Sequence, residues 1–181
     1  MTTRQMLSGL CLMAVSLGAS AAGGAHEHGV ARLSLVQDDT TITLGFDSPL
    51  DSLVGFEHAP RTEAQKKALT QARVTLENAA QVLTLPAAAA CTLTSVDVEL
   101  PFGEPGDKHA AHADDHSGHS DAEAEYVFDC AQPTALTQVT VGLFKAFPRL
   151  QRLDAEAATV AGQGKSVLRP AQATWSLPAA R

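Results

Sequence analysis

The sequence predicts a single α+β domain, in which a mostly antiparallel β-sheet carries one principal helix and a long loop rich in His and Asp. Short segments alternate apolar and polar residues, as strands with one buried face do. One longer segment repeats apolar residues at helical spacing. The stretch 107–125 contains no apolar residue larger than Ala, so it cannot bury itself. A chain of 181 residues is long enough for one such domain.

The N-terminal segment is typical of a secretory signal peptide. Arg4 provides a positive start, residues 6–17 are mostly apolar, and small residues follow at 18–25. We expect cleavage after Ala21, within about four residues either way, which leaves 22–181 as one exported metal-binding domain. No segment of this mature part is long and apolar enough to span a membrane.

The first two strands form a predicted hairpin. Residues 30–36 and 41–46 alternate apolar with polar or small residues, and Asp38-Asp39 supplies the turn between them. Residues 53–60, which follow, are expected to form a compact apolar loop.

The principal helix is predicted at about 62–84. Thr62 and Gln65 have the spacing of a capping box, and Pro60 stands just outside the helix. The apolar stripe that would lie across a sheet consists of Leu69, Ala72, Leu76, Ala80 and Leu83.

The His-rich loop is expected to be disordered over about 103–124 and to join two antiparallel neighbours. The strand before it covers 91–100 and the strand after it begins at Tyr126. Further strands are predicted at 136–144, around 157–161 and through Trp175.

Two cysteines remain after signal removal, because Cys11 lies within the signal peptide. In an exported protein this predicts a disulfide between Cys91 and Cys130, at the base of the loop. The alternative is a pair of thiolate metal ligands, although the close CxxC pairing typical of such sites is absent.

The loop is the main candidate for metal binding. Four of the seven histidines occur within it, among carboxylates, and both groups are ligands for zinc. The alternative is a solvated acidic linker. The candidate ligands are His109, His112, His116 and His119. The extra candidate ligands are Asp114, Asp115 and Asp121, with Glu57 outside the loop.

Three further histidines lie outside the loop. If the first strand has already begun, His26 and His28 point to one face and form half of a tetrahedral site; a frayed terminus is the alternative. His58, beside Glu57, is either a third ligand or a hydrogen-bonding group in a turn.

Composition and motifs argue against other functions. The net charge is −7 and no basic patch is present, so nucleic acid is not an expected partner. The sequence has no metalloprotease, serine-hydrolase or phosphate-loop motif, and we expect no enzymatic activity.

Several of these segments together resemble the ZrgA family of zinc-uptake-associated periplasmic proteins of Gram-negative bacteria. They are His-Glu-His-Gly at 26–29, Gly-Phe-Glu-His-Ala-Pro at 55–60, the His-rich insert, Tyr-x-Phe-x-Cys at 126–130 and Phe-Pro at 147–148. The resemblance implies a periplasmic protein that captures or buffers Zn²⁺ and hands it to a zinc importer. It also implies that His26, His28 and His58 are ligands alongside the insert.

Two alternatives stay open beside this interpretation. The chain is either the stand-alone substrate-binding protein of an importer, although it is short for a two-lobed architecture, or a binder of Cu²⁺ or Ni²⁺ through the same ligands.

Overall fold

A computed structural model of the chain describes residues 27–102 and 121–179. The predicted signal peptide at 1–21 and residues 103–120 of the predicted loop lie outside these ranges. The cleavage site and the disorder of residues 103–120 therefore remain predictions.

A six-stranded sheet forms the main layer, with strand order β4-β5-β2-β1-β7-β8. Every neighbouring pair is antiparallel except β1 and β7, which are parallel. The predicted α+β class with a mostly antiparallel sheet is thus confirmed. The strands are β1 (Val30–Asp38), β2 (Thr41–Pro49), β4 (Cys91–Glu99), β5 (Asp121–Cys130), β7 (Arg152–Thr159) and β8 (Gly162–Leu168).

The predicted first hairpin is confirmed, and its alternation decides which face is buried. Asp38 pairs with Thr41 at the turn. Leu33 and Leu35 of β1, with Ile42 and Leu44 of β2, are almost completely buried. Side chains alternate between the faces of a strand, so the intervening polar residues cover the outer face.

A second, three-stranded sheet belongs to the same core. It has the order β3-β6-β9, with β3 (Leu83–Thr84), β6 (Gln138–Val141) and β9 (Thr174–Ser176). Its side chains Val139, Val141 and Trp175 are buried in one continuous cluster with the inner face of the large sheet.

The principal helix, α2 (Glu63–Glu77), begins where its capping box predicts. The Thr62 hydroxyl accepts a hydrogen bond from the Gln65 amide, and the Gln65 side chain accepts one from the Thr62 amide, each at 3.2 Å. The predicted end at about 84 is wrong. Asn78 leaves the helical conformation, and a short α3 (Ala79–Val82) leads into β3. The helical stripe cannot continue because Leu83 pairs with Val141 in the small sheet.

Three other predicted boundaries differ. A short helix, α1 (Leu50–Val54), overlaps the first two residues of the loop that was expected at 53–60. The expected strand at 136–144 ends at Val141 and is followed by α4 (Leu143–Ala146). The strand expected around 157–161 begins at Arg152, because it pairs along its length with β1.

The disulfide between Cys91 and Cys130 is confirmed, but its expected position at the base of the loop is wrong. These cysteines form the first pair of the β4–β5 ladder, whereas Glu99 and Glu123 form the last pair before the loop. The disulfide therefore closes the opposite end of the hairpin. The loop was also predicted to extend to 124, yet β5 begins at Asp121.

Tyr126 connects the sheet to the principal helix. Its side chain is fully buried, and its hydroxyl donates a 2.7 Å hydrogen bond to the Leu76 carbonyl. Leu76 is in the last turn of α2, where carbonyls lack partners within the helix. Burial raises the pKa of the Tyr126 phenol above its ordinary value, so the hydroxyl keeps its proton for this contact.

We expect Tyr126→Phe to lower the free energy of unfolding by about 1–3 kcal/mol, because a buried carbonyl loses its donor. Urea denaturation of both proteins measures this. Thr94→Val is the matched control, since it removes a hydroxyl that donates to the Val127 carbonyl on the exposed side of β4, where water replaces it. Equal effects of the two substitutions would contradict the assignment.

Candidate metal site at the start of the first strand

One end of the large sheet brings together the chain segments that contain or adjoin the predicted ligands. Glu99 at the end of β4 pairs with Glu123, and Asp121 at the start of β5 pairs with Pro49 at the end of β2. Val30 at the start of β1 pairs with Arg152 at the same end. The turn before β1, the start of α1 and both attachment points of residues 103–120 therefore lie at one sheet end.

His28 lies in a turn before β1, which starts at Val30. The condition for a strand-face arrangement is not met at His28, because Gly29 has a φ of +79° and breaks the extended backbone. His26 lies outside the described residues. The position of His28 is thus set by the turn and not by strand alternation.

The His28 ring contacts two carboxylates through the same nitrogen. Nδ1 is 3.0 Å from Asp51 Oδ2 and 3.8 Å from Glu57 Oε1. The side chain of His28 is 68% exposed, whereas those of Asp51 and Glu57 are 26% and 35% exposed. The carboxylates are therefore partly sheltered while the imidazole is open to a dissolved ion. We call these three residues the His28 cluster.

The main chain of Gly29 holds this cluster in place. Its amide donates a 2.9 Å hydrogen bond to Ser52 Oγ, and Ser52 is fully buried. Its carbonyl accepts hydrogen bonds from the amides of Gln151 and Arg152, at 2.8 and 3.0 Å. A Cβ at Gly29 would lie 3.1 Å from the Arg149 carbonyl. The turn is therefore fixed to both α1 and β7.

The segment between α1 and α2 contains the second described histidine. Gly55 ends α1 in the left-handed region, with a φ of +87°, and a Cβ there would lie 2.8 Å from the Arg149 guanidinium. Beyond it, His58 Nδ1 is 2.8 Å from the Ala59 carbonyl. The His58 ring packs on Phe56 with centroids 5.4 Å apart. These contacts fit the interpretation of His58 as a hydrogen-bonding group.

The described histidines and carboxylates, the His28 cluster included, are not assembled into a complete metal centre within 27–102 and 121–179. In these ranges no group of three or more His, Cys, Asp or Glu side chains is placed to hold an ion. Asp121 opens β5 opposite Pro49. The other predicted ligands lie outside the described residues; they are His26, His109, His112, His116, His119, Asp114 and Asp115.

The outer face of the large sheet is strongly acidic. It forms a shallow concavity of about 820 Å³ with Arg32 among its lining residues. Glu99, Glu123 and Asp47 lie side by side on β4, β5 and β2. The carboxylates of this acidic surface are Asp47, Asp97, Glu99, Glu123, Glu125, Asp154 and Glu156. Such a surface raises the local concentration of cations.

Glu123 lies between two other carboxylates of the acidic surface, Asp47 and Glu99. Its pKa is raised from the ordinary 4.5, first by desolvation and then by the nearby charges of Asp47, Glu99 and Asp121. The folded protein therefore favours the protonated form of Glu123 more than the unfolded chain does.

Asp51 and Ser52 are the residues that the sequence analysis did not identify. They occupy a helix of five residues, too short to show helical periodicity. The only local signal is Pro49 before Leu50-Asp51, since proline often precedes a helix. Nothing in the sequence indicates that this helix meets the turn before β1.

The comparisons with known proteins place the chain in context. The family described as "ZrgA family zinc uptake protein" matches residues 25–177, which includes every described residue except the last two. No curated protein matches the sequence. Within the described ranges, no helix is long and apolar enough to cross a membrane.

We expect Glu123→Gln to raise the melting temperature at neutral pH by no more than about 2–4 °C, since solvent screens this exposed group. The raised pKa means that ionised Glu123 costs stability at pH values above its folded-state pKa. The gain in melting temperature should shrink as the pH falls through the folded-state pKa of Glu123 and vanish below pH 4.5.

Thermal unfolding at several pH values measures the effect. Glu77→Gln, at the exposed end of α2 and away from the acidic surface, is the control. A gain from Glu123→Gln that is the same at pH 7 and below 4.5 would contradict the assignment.

Proposed function

Because this chain belongs to the ZrgA family of zinc uptake proteins, we propose that it captures Zn²⁺ in the periplasm and hands it to a zinc importer. The observation that carries the proposal is the His28 cluster, in which an exposed imidazole stands against two carboxylates. Imidazole and carboxylate are both zinc ligands or partners of zinc ligands. The cluster lies at the sheet end where residues 103–120 attach.

In this proposal His28 anchors the tighter zinc site. Zinc in a closed protein site takes four ligands, so His28 needs partners. His26 is two residues away along the chain, whereas Glu57 lies on the Nδ1 side of the His28 ring. His58 is a further candidate, since its hydrogen bond to the Ala59 carbonyl uses only Nδ1.

The histidines of the 103–120 segment serve as the capturing ligands. His109, His112, His116 and His119, with Asp114, Asp115 and Asp121, would bind zinc by exchanging coordination, because ordering a polar segment costs conformational entropy. Moderate affinity suits capture and release. The pairing of Asp121 with Pro49, two residues before Asp51, supports transfer between this segment and the His28 cluster.

Export and the acidic surface support the same role. The signal-like N-terminus is typical of a protein sent out of the cytoplasm, and disulfides persist in oxidising compartments such as the periplasm. The carboxylates of the acidic surface attract divalent cations toward the sheet end at which the His28 cluster lies and residues 103–120 attach.

Other functions have less support. The described residues form one core, whereas a stand-alone substrate-binding protein of an importer usually has two lobes. The family is one of zinc uptake proteins and not of enzymes. Cu²⁺ and Ni²⁺ bind the same ligand types, so they are competitors to include in any titration.

Calorimetric zinc titration of the mature chain tests the proposal. We expect combined substitution of His109, His112, His116 and His119 by Ser to remove the weaker binding and leave one site. Adding His28→Ala should weaken that site by at least about tenfold, a loss that removing even an outer-shell partner produces.

The control for the loop variant is Ser117→Ala with Ser120→Ala, which changes the same segment without removing a candidate ligand. Thermal unfolding establishes that each variant is folded. If zinc stoichiometry and affinity are the same in all variants, the proposed function is wrong.

A further inference from the structure

Among the described residues, one nitrogen of the His28 ring has a hydrogen-bond partner and the other has none. Nδ1 contacts Asp51 Oδ2 at 3.0 Å and Glu57 Oε1 at 3.8 Å. An ionised carboxylate only accepts hydrogen bonds, so in a neutral imidazole Nδ1 must carry the hydrogen. The lone pair available to a metal is then on Nε2, which has no hydrogen-bond partner among the described residues.

This contact is held by the fold more firmly than most exposed pairs. Ser52, which follows Asp51, accepts a hydrogen bond from the amide of Gly29, which follows His28. Ser52 is fully buried, and the Gly29 carbonyl is tied to the amides of Gln151 and Arg152. The backbones that carry the imidazole and the carboxylate are therefore joined one residue away from the pair itself.

We propose that Asp51 is a positioning residue for zinc binding, which fixes the tautomer and the orientation of His28 so that the metal binds at Nε2. This inference rests on the proposed function. A carboxylate that accepts a hydrogen bond from a metal-binding histidine orients the ring and makes the other nitrogen more basic. Asp51 thus acts through His28 and does not itself contact the ion.

The second described histidine provides an internal contrast. His58 also has its Nδ1 occupied, but by the neutral Ala59 carbonyl at 2.8 Å. A carbonyl fixes the same tautomer without adding negative charge to the ring. The inference therefore makes His28 a stronger zinc ligand than His58, although the two rings present the same nitrogen.

The first measurement is made on the intact wild-type mature chain, and a His28→Ala variant serves only to assign the signal. Long-range ¹H–¹⁵N correlation spectra of histidine-labelled protein are recorded above the ordinary imidazole pKa of about 6.5. We expect the Nδ1–H tautomer before zinc is added and a zinc-dependent shift at Nε2. An Nε2–H tautomer, or zinc bonding at Nδ1, would overturn the inference.

The second measurement is zinc affinity. Asp51→Asn removes the charge and Asp51→Ala removes the acceptor as well. We expect each to weaken the His28-dependent site by about 10–100-fold, with the larger loss for Ala. Asp38→Asn makes the same chemical change at the other end of β1 and should leave affinity unchanged.

The two measurements separate the inference from the function on which it rests. If His28→Ala weakens zinc binding while both Asp51 variants bind as the wild type does, Asp51 has no positioning role and the proposed function stands. If His28→Ala has no effect on zinc binding, the His28 site of the proposed function is wrong and the inference falls with it.

Discussion

The main chain of Gly29 is the junction on which the candidate site depends. Its amide is bound by the buried Ser52 hydroxyl, and its carbonyl accepts from Gln151 and Arg152. Through these bonds the turn before β1 is joined to α1 and to the start of β7. The left-handed φ of Gly29 and the close Arg149 carbonyl leave little room for a side chain. Three distant parts of the chain thus meet around one residue without a side chain.

The parallel pairing of β1 with β7 explains why this junction exists. In an otherwise antiparallel sheet, the two strands start at the same end, so the segment before β1 lies beside the segment before β7. Arg152 at the start of β7 reinforces this contact, because its guanidinium donates to Glu27 at 3.0 Å and to Asp154 at 3.1 Å. The parallel pairing of β1 with β7 therefore places the turn before β1 against the start of β7.

The two faces of the large sheet have different roles. The inner face is apolar and joins α2 and the small sheet in one core. The outer face collects carboxylates, and the pKa of Glu123 is raised first by desolvation and then by its charged neighbours, so ionised Glu123 costs stability. Such a cost is consistent with a surface whose charge serves ion attraction rather than folding. The disulfide, at the far end of β4 and β5, stabilises the fold away from the proposed metal ligands.

Much of the architecture could be predicted from local patterns. The alternation in β1 and β2, the Thr62–Gln65 capping box and the pairing of Cys91 with Cys130 are all confirmed. Each depends on neighbouring residues, or on a count of cysteines in a chain that is predicted to be exported. The end of α2 was predicted wrongly, because Leu83 has helical spacing yet is held in a strand by Val141.

The fold class could be predicted from periodicity and composition, because both are local properties, and composition also predicts imidazole and carboxylate as the ligand types. The contact of Asp51 with His28 and the start of β5 at Asp121 become visible only in the folded chain. The same holds for the disulfide, which closes the end of its hairpin opposite the loop. These contacts join residues far apart in the chain, and they follow from strand order and register. Side-chain spacing along one segment carries no information about either.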